Sequence, residues 1–175
     1  KYKPIRVKAI LFDFDGTLTQ PGALDFPAFK KSIGCAVDKP VLEYIEALPD
    51  HAQKEKALTA LDEFELAAAE AAEPNPGAEE LIGYLRKHGL RLGIISRNNR
   101  PSIDRALKNF QKVTPDDFDI ILTRDDSMKP KPDPEGVRQA ARAMDIDIDR
   151  MLVVGDFVFD IQAGNAAGAA TVFLD

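Results

Sequence analysis

The chain is poor in the residues that build covalent and zinc frameworks: Cys35 is its only cysteine, and His51 and His88 are its only histidines. Neither a disulfide framework nor a Cys/His zinc site can be assembled from that set, and the reducing cytoplasm is the expected compartment. A basic surplus is missing as well, since 23 Lys and Arg stand against 29 Asp and Glu, a formal net charge of −6. With no Lys/Arg cluster running alongside aromatics, no nucleic-acid partner is expected. No apolar run approaches the roughly 20 residues of a membrane helix, so no membrane partner is expected either. The amino end begins at Lys1 and shows neither a signal peptide's apolar stretch nor an initiator Met, and residues missing ahead of it are expected.

What is present suits one compact globular domain, or one domain carrying a modest insertion: 175 residues, 45% hydrophobic and 30% charged. Val7 to Phe14 is a nearly continuous apolar run, the pattern of a strand buried on both faces of a parallel sheet. Leu90 to Ile95, Phe118 to Leu122, Met151 to Val154 and the short Thr171 to Leu174 read likewise. Helical patterns separate them, at Ala78 to His88, Pro101 to Phe110, Pro134 to Met144 and Ile161 to Ala167. Strand alternating with helix predicts an α/β fold, a doubly wound (Rossmann-like) parallel sheet. A further helix is expected after Leu174, so carboxyl-terminal truncation is expected too.

Between Gln20 and Asn75 the pattern changes. Phe26 to Ile33, Val41 to Leu48 and Ala52 to Ala72 all read as helices with no buried strand among them. The expected organisation is an α/β core from residues 1–19 and 76–175 with a helical insertion at 20–75. Turn-forming residues mark both junctions, Gln20, Pro21 and Gly22 at one and Pro74 to Gly77 at the other.

Four polar segments stand at the carboxyl ends of predicted strands, where open parallel sheets gather ligands. In Asp13-Phe14-Asp15-Gly16-Thr17 the two-residue spacing directs both carboxylates to one side. A divalent cation would relieve their repulsion, and Mg2+ suits a carboxylate site that also takes a phosphate oxygen. Asp13 is then the candidate nucleophile and Asp15 the general acid and later base, its backbone carbonyl a further metal ligand. Ser96 and Arg97, ahead of a helix, are candidates for holding phosphate, although serine and asparagines before a proline are also ordinary capping chemistry. Lys129 and Lys131 lie in a proline-stiffened run, and one of them is placed to neutralise the transferring phosphoryl group. Finally, Gly155-Asp156-Phe157-Val158-Phe159-Asp160 offers Asp156 as a direct metal ligand and Asp160 as an acid behind it.

Taken together and in this order, the four segments resemble the haloacid dehalogenase superfamily, specifically its phosphoglycolate phosphatase-like members with a small helical cap after the first motif. The resemblance spans nearly the whole chain and implies strand order 5-4-1-2-3, which would bring all four segments to one switch point. In such proteins the lysine precedes Pro-x-Pro-Asp, a register that Lys129 through Asp133 fits, so the resemblance selects Lys129. Dehalogenase members lack an acid at the position of Asp15, which turns the expectation to phosphate esters. Phe157 and Phe159 depart from the pattern, standing where smaller or polar residues are common.

The expected function is therefore a Mg2+-dependent phosphatase acting on a small phosphorylated metabolite through an aspartyl-phosphate. A phosphomutase on the same core is an alternative. So is a weakly active, cap-mediated binding module, because the alanine-rich stretch Leu66 to Ala72 suits a partner helix. Monomer and homodimer are both compatible with the sequence.

Overall fold

A computed structural model describes residues 6–175; the first five residues of the predicted core segment 1–19 lie outside the described part. Five parallel strands form one sheet, β1 Ala9–Phe12, β2 Arg91–Ile95, β3 Ile120–Leu122, β4 Met151–Gly155 and β5 Ala170–Phe173. Their order is β3-β2-β1-β4-β5, which read from the other edge is the expected 5-4-1-2-3. Phe12 is level with Ile94 on one side and Val154 on the other, so the segments that follow β1, β2 and β4 leave the sheet at one edge.

Alternation within the strands explains why both faces are covered. Ile10 and Phe12 join Leu92 and Ile94 against α4 (Ala78–Lys87) and α5 (Arg100–Leu107), where Ile82, Ile103 and Leu107 are buried. Ala9 and Leu11 point the other way, with Met151 and Val153, against α6 (Glu135–Ala143) and α7 (Val158–Ala167). A strand with apolar residues on both faces has no solvent side, and so its sequence reads as a continuous apolar run.

Two boundaries differ from expectation in ways that matter for the site. The paired part of β1 ends at Phe12, although the Asp13 amide still donates to the Val154 carbonyl at 2.8 Å. Helix α7 starts at Val158, three residues earlier than expected, because Asp160 Oδ2 accepts the Phe157 amide at 3.1 Å and fixes the first turn.

Between β1 and α4 lie α1 (Phe26–Ile33), α2 (Val41–Glu46) and the 21-residue α3 (His51–Ala71). They bury their own cluster of Phe29, Val41, Ile45, Ala57 and Leu61, with the Phe29 and Phe64 rings stacked at 4.7 Å. Helix α3 leaves that cluster and continues along α5, where Ala69 and, just beyond it, Ala72 enter the sheet's own core. The Ala69 and Ala72 face of the alanine-rich stretch is thus packed within the same chain, while Leu66, Ala67 and Ala71 are exposed. Asn109 Nδ2 fastens it by donating to the carbonyls of Ala69 and Ala72 at 3.1 and 2.8 Å. The two junctions meet: the Gln20 amide donates to Glu73 O at 2.9 Å and the Asn75 amide to Leu18 O at 2.8 Å. Among the described residues no helix is long and apolar enough to cross a membrane.

Candidate active site

A cavity of about 690 Å³ lies between the carboxyl ends of β1, β2 and β4 and the inserted helices. Asp13, Asp15, Ser96, Lys131, Asp156 and Asp160 all reach it, carried there from four separate stretches of sequence. Carboxylate oxygens of Asp13, Asp156 and Asp160 lie within 4.8 Å of one another. Gly16 makes this possible. Its φ of +82° favours glycine, and a Cβ there would overlap the Asp156 carboxylate.

Lys131 is the ammonium of the site. Its Nζ lies 2.6 Å from Asp13 Oδ1 and also donates to Asp160 Oδ1, and its side chain is only 4% exposed. Burial opposes the charge on Lys131, but Asp13 and Asp160 outweigh it and hold the group above its ordinary range. Lys129, which the resemblance selected, is elsewhere. Its side chain is 76% exposed and its ammonium faces Asp133 at 4.0 Å, with no contact to the acids. Both lysines begin a Lys-Pro-x-Pro frame, and the frame that counts is the second, Lys131 to Pro134, which runs directly into α6 at Glu135.

The Asp15 carboxylate stands apart from the acid cluster of Asp13, Asp156 and Asp160. Its Oδ2 instead accepts from Asn98 Nδ2 at 3.1 Å. Burial, followed by the charge of Asp13, pushes its pKa up to about 6, near neutrality where a proton donor and acceptor works best. Burial likewise raises the Asp13 carboxyl, with Asp156 adding to the rise and Lys131 opposing it.

Ser96 is buried at the end of β2, and its Oγ accepts the Asn98 amide at 3.0 Å. Arg97, expected to hold phosphate, is committed otherwise. Its guanidinium grips both carboxylate oxygens of Glu43 on α2, at 2.9 and 2.6 Å, donates to the Lys131 carbonyl, and lies 5.0 Å over the Phe159 ring. An Arg fork that matches a carboxylate in this way is not free for a phosphate. Asp160, buried, holds Lys131 with one oxygen and the Phe157 amide with the other.

Sequence reasoning missed a second polar network. Glu65 of α3 is buried against the site, receiving Arg124 at 2.7 Å and Asn99 Nδ2 at 3.1 Å. Asn99 also caps α5 and Arg124 also binds Asp62. Burial, only partly offset by Arg124, raises Glu65 to about 7. One Glu among the four of α3 carries no local mark of this role. Cys35 is buried in the insertion and does not line the cavity, although Phe26 does.

The residues fit a divalent cation. Carboxylate oxygens of Asp13, Asp156 and Asp160 gather within 4.8 Å of one another, with Lys131 bound to Asp13 and Asp160. Hard oxygen donors of this kind suit Mg2+.

Comparison with known proteins points to one family. The family model for haloacid dehalogenase-like hydrolases matches residues 7–168. The Saccharomyces cerevisiae hydrolase YOR131C is 34% identical over 96% of this chain and 77% of its own length. The pyrophosphatase PpaX of Bacillus cereus is 27% identical over 95% of this chain and 82% of its own. Among solved structures, a haloacid dehalogenase-like protein from Bacteroides fragilis superimposes with a TM-score of 0.79 at 25% identity, covering 95% of this chain and 87% of that one.

Proposed function

The chain belongs to the haloacid dehalogenase-like hydrolases, and from that premise we propose that it is a Mg2+-dependent phosphatase. It hydrolyses a small-molecule phosphate monoester through an aspartyl-phosphate on Asp13. The observation that carries the reading is the buried Asp13–Lys131 pair at 2.6 Å, set in a cavity beside the raised carboxyl of Asp15. The pyrophosphatase activity in the name of its relative PpaX supports it. Residues 20–75 act as the cap over a core of residues 1–19 and 76–175.

Asp13, Asp156 and the Asp15 backbone carbonyl would hold Mg2+, which supplies charge to the phosphate oxygens when bound. Asp13 attacks phosphorus in line, so that an Asp13 O–P bond forms as the ester P–O bond breaks. The Lys131 ammonium, fixed by Asp160, balances the charge of both the nucleophile and the transferring group. Protonated Asp15 gives its proton to the departing alkoxide and then takes one from the water that splits the aspartyl-phosphate, releasing inorganic phosphate. Asn98 keeps the Asp15 carboxyl in place through both steps.

The test is release of p-nitrophenol from p-nitrophenyl phosphate with Mg2+, with excess EDTA, and with Asp13→Asn. Turnover that needs Mg2+ and disappears in an Asp13→Asn protein of unchanged circular dichroism is expected. Undiminished turnover in that variant would overturn the proposal.

A further inference from the structure

Resting on the phosphatase reading, we infer that the cavity is built for monoesters whose leaving group is uncharged, apolar and aromatic. Leu24, Phe26, Val41, Leu42 and Leu61 from the insertion and Phe159 from the core give the cavity an apolar wall, beside the polar Gln20, Lys30 and Asp38. Such a wall gains by excluding water from an apolar body and gives a sugar's hydroxyls few partners. Phe157 stands at the same lining, 55% exposed, with its ring edge-on to Phe159 at 5.0 Å. A large aromatic side chain left this open beside a reactive centre is a surface that a flat apolar ligand would cover. These are the two phenylalanines that the sequence motif left unexplained.

The charges make the same selection. Of the cations that line the cavity, Lys131 is held by Asp13 and Asp160 and Arg97 by Glu43, while Lys30 meets the Val37 carbonyl at 2.7 Å. The remaining charged groups away from the acid cluster are Asp38 and Glu65. A leaving group that carried a carboxylate or a second phosphate would have to compete with Glu43 for Arg97 or rely on the single ammonium of Lys30, against the like charge of Asp38. An uncharged aromatic alcohol meets neither obstacle.

The experiment compares kcat/KM, with Mg2+, for benzyl phosphate, 2-phosphoglycolate, glucose 6-phosphate, methyl phosphate and inorganic pyrophosphate. The first four are alkyl esters, so the comparison among them reads the pocket more than the acidity of the leaving group. Benzyl phosphate is expected to exceed 2-phosphoglycolate and glucose 6-phosphate by at least tenfold, and Leu42→Asn to narrow the benzyl-to-methyl ratio roughly tenfold. Glu43→Gln, by releasing Arg97, is expected to shift the ratio toward 2-phosphoglycolate. A wild-type preference for 2-phosphoglycolate, glucose 6-phosphate or pyrophosphate over benzyl phosphate overturns this inference and leaves the phosphatase reading standing. Absence of Mg2+-dependent phosphate release from every ester, p-nitrophenyl phosphate included, overturns both.

Discussion

The ammonium of Lys131 and the carboxylate of Asp13 are 2.6 Å apart and buried, although 118 residues separate them in the chain. Their meeting needs β1 at the centre of the sheet, with the segment that leads into α6 folded back over its carboxyl end. Much of the chemistry follows from that one contact, and the predictions begin with it.

Removing Lys131 leaves Asp13 and Asp160 buried without their cation. Lys131→Ala should lower kcat/KM by about a thousandfold and destabilise the fold by about 3–5 kcal/mol. Lys129→Ala, with its exposed side chain, should stay within about 0.5 kcal/mol of wild type and keep its turnover. Parallel kinetics and urea melts on the two variants check this, and equal losses in both would reject the assignment of Lys131.

Mg2+ should stabilise the folded state by relieving the crowded acids. At a hundred times its Kd, binding adds about 2.7 kcal/mol, a rise in Tm of about 5–10 °C for a chain of this size. Differential scanning calorimetry with Mg2+ and with EDTA reads it directly. Asp156→Ala should abolish most of the rise.

Glu65 couples stability to pH. Its folded pKa is raised from the model-compound 4.5 to about 7, so the folded state holds the proton more tightly than the unfolded chain. That contribution is complete below about pH 4.5 and is lost as pH rises through 7, on the order of 2–3 kcal/mol in all. Glu65→Gln cannot titrate, so the difference in unfolding free energy between wild type and variant should change with pH across that window. A difference that stays constant from pH 4.5 to 8 would contradict the prediction.

Gly16→Ala should damage the site more than the fold. The residue takes φ +82° and its Cβ would press on Asp156. A cost of about 1–3 kcal/mol in stability is expected, together with loss of the Mg2+-induced rise in Tm. Calorimetry separates the two effects, and a retained Mg2+ response would show that Asp156 can move aside.

Most of the architecture was legible without coordinates, because the core strands are apolar on both faces and helical patterns alternate with them. The four acids could be located for a related reason. Asp13, Asp15, Asp156 and Asp160 interrupt apolar runs at strand ends, where a buried carboxyl has no purpose in packing. The pairing of Arg97 could not be read, because a sequence shows an arginine beside a serine but does not show Glu43, 54 residues away, closing on it. Glu65 was invisible on the same ground, since its partners Asn99 and Arg124 belong to other segments.

By itself, then, the sequence determined the sheet, its helices and the positions of the acids, since these depend on hydrophobic periodicity and on short-range spacing. Only the tertiary structure decided which of two lysines serves Asp13, which arginine is already spent, and what kind of wall faces the acids. Lys129 and Lys131 have nearly the same neighbours, each followed by proline. What separates them is docking against Asp13 and Asp160, a contact between distant segments that local pattern does not encode.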